Sequence, residues 1–173
     1  MPTDGYGLED IHREERFVAT IEKSIEVEVP VSMAYNQWTQ FEEFPRFMEG
    51  VRSVRQLDDT HLEWKAEIGG QEHTWKAEIS QQEPDRVVSW RSLHGKYNSG
   101  KVTFESLEPE KTRVNVEMTY DAEGMKEAVG SALGFDSRRV SGDLDRFKEF
   151  IEKRQSETGG WRGEVHEGKV TDQ

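Results

Sequence analysis

The sequence predicts an α+β domain in which a curved antiparallel sheet of seven strands packs around one long helix near the C-terminus. Residues 51–120 form a succession of short segments whose apolar and polar side chains alternate, as they do in half-buried strands. The turns between these segments are short, and short turns join antiparallel neighbours. Residues 140–151 instead carry apolar side chains at helical spacing, so one amphipathic helix can cover the apolar face of the sheet.

The first strand is predicted at residues 20–29, where isoleucine and valine occupy one parity and glutamate the other. A proline ends this strand. Ser32 is then a candidate N-cap for a short helix that reaches Trp38. A second short helix is expected within residues 41–48, provided that Pro45 sits in its first turn. Two short helices therefore separate the first strand from the rest of the sheet.

Six further strands are predicted within residues 51–120. In the clearest pair, residues 62–68 and 73–79, apolar and charged side chains alternate on both sides of Gly69 and Gly70. Two glycines can adopt the positive φ values of a two-residue hairpin turn, so these strands are expected to be antiparallel neighbours.

The long helix is predicted from Val140, Leu144, Phe147 and Ile151, which lie at i, i+4, i+7 and i+11 with charged residues between them. The preceding residues 124–136 have a similar apolar spacing, but their glycines weaken a helix. The helix is therefore expected to be long, with a weak point near its start where it can bend.

Both ends of the chain look different from this core. Residues 1–17 are predicted to be a flexible acidic arm and residues 157–173 a flexible tail, because neither stretch shows a sustained hydrophobic period. The ordered domain is then residues 18–156. The N-terminal stretch has neither the cationic start nor the apolar centre of a secretory signal, so we expect a cytoplasmic protein.

Composition excludes several classes of function. The 173-residue chain has 23 Lys and Arg against 35 Asp and Glu, a formal net charge of −12. Such a surface repels phosphate backbones and anionic lipids, so we expect no nucleic-acid partner. The apolar runs are far shorter than the roughly 20 residues that span a bilayer, so stable membrane insertion is not expected. Cysteine is absent, which excludes disulfides, thiolate nucleophiles and thiolate metal sites.

A set of local motifs accompanies this order of elements. The most specific is residues 41–51, with the sequence FEEFPRFMEGV, and shorter ones lie at residues 75–79, 90–92, 100–104 and 138–144. Over about residues 20–155 the chain resembles the START-like (SRPBCC) superfamily, in its polyketide cyclase/dehydrase and coenzyme-Q-binding-like branch. The resemblance implies a helix-grip fold whose cavity, between sheet and C-terminal helix, holds a small hydrophobic ligand such as a lipid, quinone or polyketide-like molecule. It implies no particular reaction.

The pattern of large and small residues also allows a cavity, by an argument that does not use the resemblance. Small side chains on adjacent strands leave space that aromatic rings then border, and ligand pockets are mostly apolar with a few polar groups. The alternative is that the tryptophans simply fill a solid core. The residues expected around the cavity are Phe44, Phe47, Met48, Trp64, Ala66, His73, Trp75, Ala77, Trp90, Ser92, Val102, Phe104, Val116, Met118, Tyr120, Met125, Val129 and Leu133.

Within that set, His73, Ser92 and Tyr120 are the polar candidates. The segment 124–136 could act as a lid over the cavity mouth, or it could be an ordinary irregular start of the helix. His61 and His94 lack the spacing of a metal site, so they are interpreted as surface residues, and no metal or other cofactor is expected.

Three functions remain open from the sequence. The leading one is a carrier that sequesters a hydrophobic small molecule, with no catalytic residue assigned. The second is a cyclase or dehydratase working in the same cavity, with His73, Tyr120 and Arg91 as its polar candidates. The third is a protein-interaction module of the same fold, which would make a protein partner possible.

Overall fold

The computed structural model describes residues 18–68, 70–94, 98–121 and 137–171. These residues form a large antiparallel sheet, a helical connection between its first two strands, and a long helix that covers one face. In chain order the elements are β1 (Val18–Val27), α1 (Val31–Trp38), a 3₁₀ helix (Phe41–Arg46), β2 (Val51–Gln56), β3 (His61–Ile68), β4 (Gln71–Glu83), β5 (Val87–Ser92), β6 (Asn98–Glu108), β7 (Lys111–Asp121), α2 (Ser137–Arg154), β8 (Glu164–His166) and β9 (Lys169–Thr171).

The seven predicted strands lie in one sheet in the order β1-β7-β6-β5-β4-β3-β2, which confirms the predicted fold class. Strands β2 to β7 are neighbours in chain order because short turns join them. The first strand lies at the opposite edge, where β1 pairs with β7 from Val18–Asp121 to Val27–Thr112. The segment between β1 and β2 must therefore cross the whole width of the sheet, and α1 and the 3₁₀ helix make this crossing.

The helix α2 packs its apolar stripe onto the same face. Val140, Leu144, Phe147 and Ile151 are all buried, as their spacing predicts. Polar contacts fix the helix along β1: the Lys148 ammonium donates to the Glu26 carbonyl at 2.8 Å. The Glu152 carboxylate accepts a hydrogen bond of 2.7 Å from the backbone N–H of Glu28, the first residue after β1.

The two short helices differ in detail from the prediction. Helix α1 begins at Val31, directly after Pro30, and Ser32 makes no capping bond to its backbone. The second helix is a 3₁₀ helix in which Pro45 is the fifth of six residues rather than part of the first turn. Because proline has no N–H to donate, a short 3₁₀ segment accommodates it with less loss than a continuing α-helix would.

The C-terminal segment corrects the prediction of a flexible tail over residues 157–173. Residues 157–171 return to the domain and end in the hairpin β8–β9, which makes the described sheet nine-stranded. Strand β8 pairs with β4 through Gln82 and Val165, on the stretch of β4 that lies past the pairing of Glu78 with the first residue of β3.

Buried polar groups on α1 receive this segment. The Gln37 amide, which is fully buried, donates to the Thr158 hydroxyl at 3.0 Å and accepts the Thr158 N–H at 2.9 Å. The Thr39 hydroxyl accepts the Trp161 N–H at 3.1 Å. The polar composition of residues 157–173 predicted a loose tail. That prediction failed because the partners of this segment lie 121 or 122 residues away in the chain and leave no local pattern in the sequence. The predicted arm at residues 1–17 lies outside the described residues.

We expect Phe147→Ala to lower the free energy of unfolding by about 3–5 kcal/mol, as the loss of a buried aromatic ring usually does. Phe147 is fully buried between Trp38 and Phe47, at ring-centroid distances of 5.4 and 5.2 Å. Urea unfolding measures the change. Glu149→Ala, on the exposed side of the same helix, is the control and should cost less than about 0.5 kcal/mol. Equal losses in the two variants would contradict this packing.

Candidate functional site

A cavity lies between the centre of the sheet and the first half of α2. Its volume, measured as the space open to the centre of a water molecule, is about 80 Å³. Since roughly 10–15 Å³ by this measure holds one water, the space is larger than a packing defect. Val140 and Leu144 border it on the helix side, and Val116 and Met118 of β7 border it on the sheet side.

Three tryptophans on adjacent strands form most of the sheet wall. Trp64 of β3 and Trp75 of β4 are direct cross-strand partners, with nearly parallel rings whose centroids lie 6.0 Å apart. Trp90 of β5 continues the row at 5.9 Å from Trp64. Trp38 of α1 also lines the cavity. The alternation of each strand turns these rings to one face, so the wall is a continuous row of indoles.

A glycine makes the position of Trp90 possible. Gly100 is the cross-strand partner of Trp90, and a Cβ at this position would lie 2.4 Å from Cζ2 of the indole. The ring therefore lies directly over the backbone of β6, which only a residue without a side chain allows.

The structure brings seven of the predicted site residues into the cavity wall. They are Met48, Trp64, Ala66, Trp75, Trp90, Val116 and Met118. Another five are buried in the adjoining core without lining the cavity, namely Phe44, Phe47, Ala77, Val102 and Phe104.

The polar candidates lie elsewhere. His73 is exposed, because the first four residues of β4 extend beyond the core, and its shared parity with Trp75 therefore does not bury it. The half-buried Ser92 hydroxyl accepts the Asn98 N–H at 3.1 Å, and the half-buried Tyr120 does not line the cavity. Arg91 is exposed and pairs with Glu78 at 2.9 Å.

Three predicted site residues, Met125, Val129 and Leu133, lie outside the described residues, as does the proposed lid at 124–136. Of the remaining histidines, His94 is exposed and His61 bonds to the Asp58 carboxylate at 2.9 Å through Nδ1.

Sequence reasoning missed the polar end of the cavity. Glu49, Glu67, Arg139 and Asp143 all line it. The last two flank the apolar stripe of α2, and the helical period alone does not indicate which charged neighbours of that stripe face a cavity. Arg139 and Asp143 are four residues apart, so they lie on one side of the helix, and this spacing was the available signal.

These polar groups tie α2 to the segment that precedes β2. The Arg139 Nε donates to the Glu49 carbonyl at 2.7 Å, and the Glu49 N–H donates to Asp143 at 3.1 Å. The Asp143 carboxylate is also paired with Arg146. Gly50, at φ 88°, turns the chain here, and a Cβ on it would collide with the Arg139 guanidinium. These contacts attach Glu49 and Gly50, at the polar end of the cavity, to α2.

Burial raises the pKa of the Asp143 carboxyl above its ordinary value, although the Arg146 side chain and the Glu49 N–H act in the opposite direction. The group combines a position in the cavity wall with a shifted pKa, a combination that marks functional sites in many proteins.

The indole nitrogens of this region are buried. Among the described residues, the Nε1 atoms of Trp38, Trp64 and Trp75 have no hydrogen-bond acceptor. Buried donors of this kind usually have a partner. Because the three atoms have almost no accessible surface, the rings present mainly carbon to the cavity, and its polar groups are those of Glu49, Glu67, Arg139 and Asp143.

Comparison with known proteins places this architecture. Residues 27–149 match the family described as "Polyketide cyclase / dehydrase and lipid transport". The chain belongs to this family. An uncharacterized 17.2 kDa protein of Streptomyces lincolnensis is 47% identical to it over 149 residues, which cover 86% of this chain and 99% of the relative.

Solved structures of other proteins show the same fold. An aromatase/cyclase from a Streptomyces species matches with a TM-score of 0.68 and 15% identity, over 84% of this chain and all of that one. A Deinococcus radiodurans protein matches with a TM-score of 0.63 and 29% identity, over 79% of this chain and 99% of that one. A START superfamily protein from Mycobacterium smegmatis matches with a TM-score of 0.57 and 13% identity, over 78% of this chain and 95% of that one. The predicted polyketide cyclase/dehydrase family is confirmed, and so is the predicted helix-grip fold.

In the part of the chain that the structure describes, none of the helices combines the length and the apolar character needed to cross a bilayer.

The raised pKa of Asp143 predicts a pH-dependent stability. The ordinary carboxyl value is 3.8, and the folded protein holds this proton more tightly than the unfolded chain does. Ionising Asp143 therefore costs stability as the pH rises from about 3.8 through the higher folded pKa. We expect the free energy of unfolding of the wild type, minus that of Asp143→Asn, to decrease through this window and then to level off.

Urea unfolding of both proteins at a series of pH values measures this difference, in which the other carboxyl groups largely cancel. A difference that stays constant or increases with pH would show that burial does not dominate at Asp143.

Proposed function

We propose that the protein binds a small hydrophobic molecule in the cavity between the sheet and α2, and acts as its carrier. The observation that supports this proposal is the cavity itself, walled by three aligned tryptophans and by apolar residues of β7 and α2. Membership of a family whose description includes lipid transport is consistent with it.

The apolar wall supplies the affinity. A ligand that buries about 200 Å² of apolar surface gains about 5 kcal/mol at roughly 25 cal/mol per Å². Immobilising the ligand offsets part of this gain, so a rigid molecule binds better than a flexible one of equal area. A rigid ring system therefore uses this cavity better than an acyl chain does.

The indoles favour a more specific ligand class. Flat rings pack well against aromatic rings in offset or edge-to-face geometry. The Arg139 guanidinium at the polar end of the cavity can donate to an oxygen on the ligand. A planar quinone-like or polyketide-like molecule has both a flat ring and acceptor oxygens. Such a molecule therefore suits the cavity better than a simple lipid chain does.

A second candidate function is catalysis in the same cavity, of the cyclase or dehydratase kind. One observation favours it: the Asp143 carboxyl, with its raised pKa, lies in the wall beside Arg139. A structural neighbour is an aromatase/cyclase. The polar groups for such chemistry would be Asp143 and Arg139 rather than His73, Tyr120 and Arg91, which lie away from the cavity.

We expect the protein to bind 1-indanone more tightly than indane, because the two probes share a fused-ring skeleton and only indanone has a carbonyl that can accept from Arg139. Arg139→Met removes the guanidinium but keeps an apolar stem, so it should weaken indanone binding by about 2- to 12-fold and leave indane binding nearly unchanged. Tryptophan fluorescence and NMR titration measure the dissociation constants, with octanoate as an acyl-chain probe.

Arg138→Met is the matched control, since Arg138 is exposed on the same helix and does not line the cavity. If none of the three probes binds, the carrier proposal is wrong. If indane binds as tightly as indanone, the cavity binds ligands but does not select an acceptor oxygen. If octanoate binds as tightly as indanone, the cavity does not favour a rigid ring over an acyl chain.

A further inference from the structure

A second group of buried polar atoms lies where the C-terminal segment covers α1 and β4. Across the described residues, seven buried side-chain nitrogen and oxygen atoms have no hydrogen-bond partner. Three are the indole nitrogens of Trp38, Trp64 and Trp75. The other four are the Tyr35 hydroxyl, both amide atoms of Gln82 and Oδ1 of Asp85. Tyr35 is 0% and Gln82 1% exposed.

These atoms come from distant parts of the chain and meet at one place. The Arg162 guanidinium lies 2.9 Å from Oδ2 of Asp85 and 5.6 Å from the centre of the Tyr35 ring. The Gln82 amide lies outside strict hydrogen-bond geometry from the Tyr35 hydroxyl, yet close enough to lower the pKa of that hydroxyl. Gln82 is in turn the cross-strand partner of Val165 in β8. The C-terminal segment therefore forms one wall of this cluster.

The turn between β4 and β5 supplies the carboxylate. Asp85 has a φ of 63°, in the left-handed region that aspartate tolerates better than most residues. One carboxylate oxygen pairs with Arg162, and the other is buried without a partner among the described residues.

The chemistry of the cluster indicates what it can bind. Burial raises the pKa of Tyr35 to about 12, so its hydroxyl keeps a proton to donate. The Gln82 amide adds donor and acceptor atoms, and Oδ1 of Asp85 adds an acceptor. The charge of Asp85 is already matched by Arg162. A neutral molecule that donates and accepts at once satisfies this set, whereas an ion adds an unmatched charge.

We propose that Tyr35, Gln82 and Asp85 form an internal hydration site that holds at least one ordered water molecule, closed by Arg162 and the C-terminal segment. Buried waters of this kind make two to four hydrogen bonds to otherwise unsatisfied polar groups. The site is separate from the ligand cavity and does not rest on the proposed function. It gives residues 157–171 a role in enclosing part of the interior.

Water deuterium and oxygen relaxation dispersion tests the proposal, because it counts water molecules that stay bound longer than the protein takes to tumble. We expect Gln82→Leu to lose at least one such water relative to the wild type. Gln81→Leu is the matched control on the same strand, where the amide already has Glu83 as a partner at 2.7 Å, and it should keep the wild-type count. An unchanged count in Gln82→Leu would overturn the proposal.

Tyr35→Phe provides a second test that removes only the hydroxyl. If the hydroxyl binds water, its loss lowers both the number of long-lived water molecules and Tm. An unchanged number of such waters, or the higher Tm expected when a hydroxyl buried without any partner is removed, would also overturn the proposal. This variant decides the question should Gln82→Leu fail to fold.

Discussion

The contact of Phe147 in α2 with Trp38 and Phe47 holds the fold together, because it joins the long helix to the segment that crosses the sheet. The strand order requires that crossing, since β1 and β2 lie at opposite edges. Both the crossing and α2 pack on the same face, and their aromatic contact fixes the distance between helix and sheet. The first half of α2 is thereby held over the tryptophan row, where the cavity remains.

The cavity has two chemically different parts, and the fold explains both. The strands supply indoles, since consecutive antiparallel neighbours place Trp64, Trp75 and Trp90 side by side. The helix supplies charge at the other part, where Arg139 and Asp143 also hold the segment before β2. The same residues thus stabilise the polar end of the cavity and offer polar groups to a ligand. A ligand with an apolar ring body and a polar edge matches this division.

Sequence periodicity predicted the sheet, the crossing helices and α2, because each buries one face at a regular spacing. It also identified the indole row, where parity and burial coincide. Parity failed at His73, since β4 extends beyond the core and its first residues are exposed whichever way they point. It could not identify Asp143 as a wall residue, nor the docking of Thr158 on Gln37, because both depend on contacts between segments far apart in the chain.

A crystal structure of the protein under xenon pressure tests the cavity most directly, because xenon enters apolar cavities without needing a specific partner. We expect xenon density between the indoles of Trp64 and Trp75 and the Leu144 side chain of α2. Well-ordered indoles packed directly against α2, with neither xenon nor any other density between them, would show that the cavity does not exist.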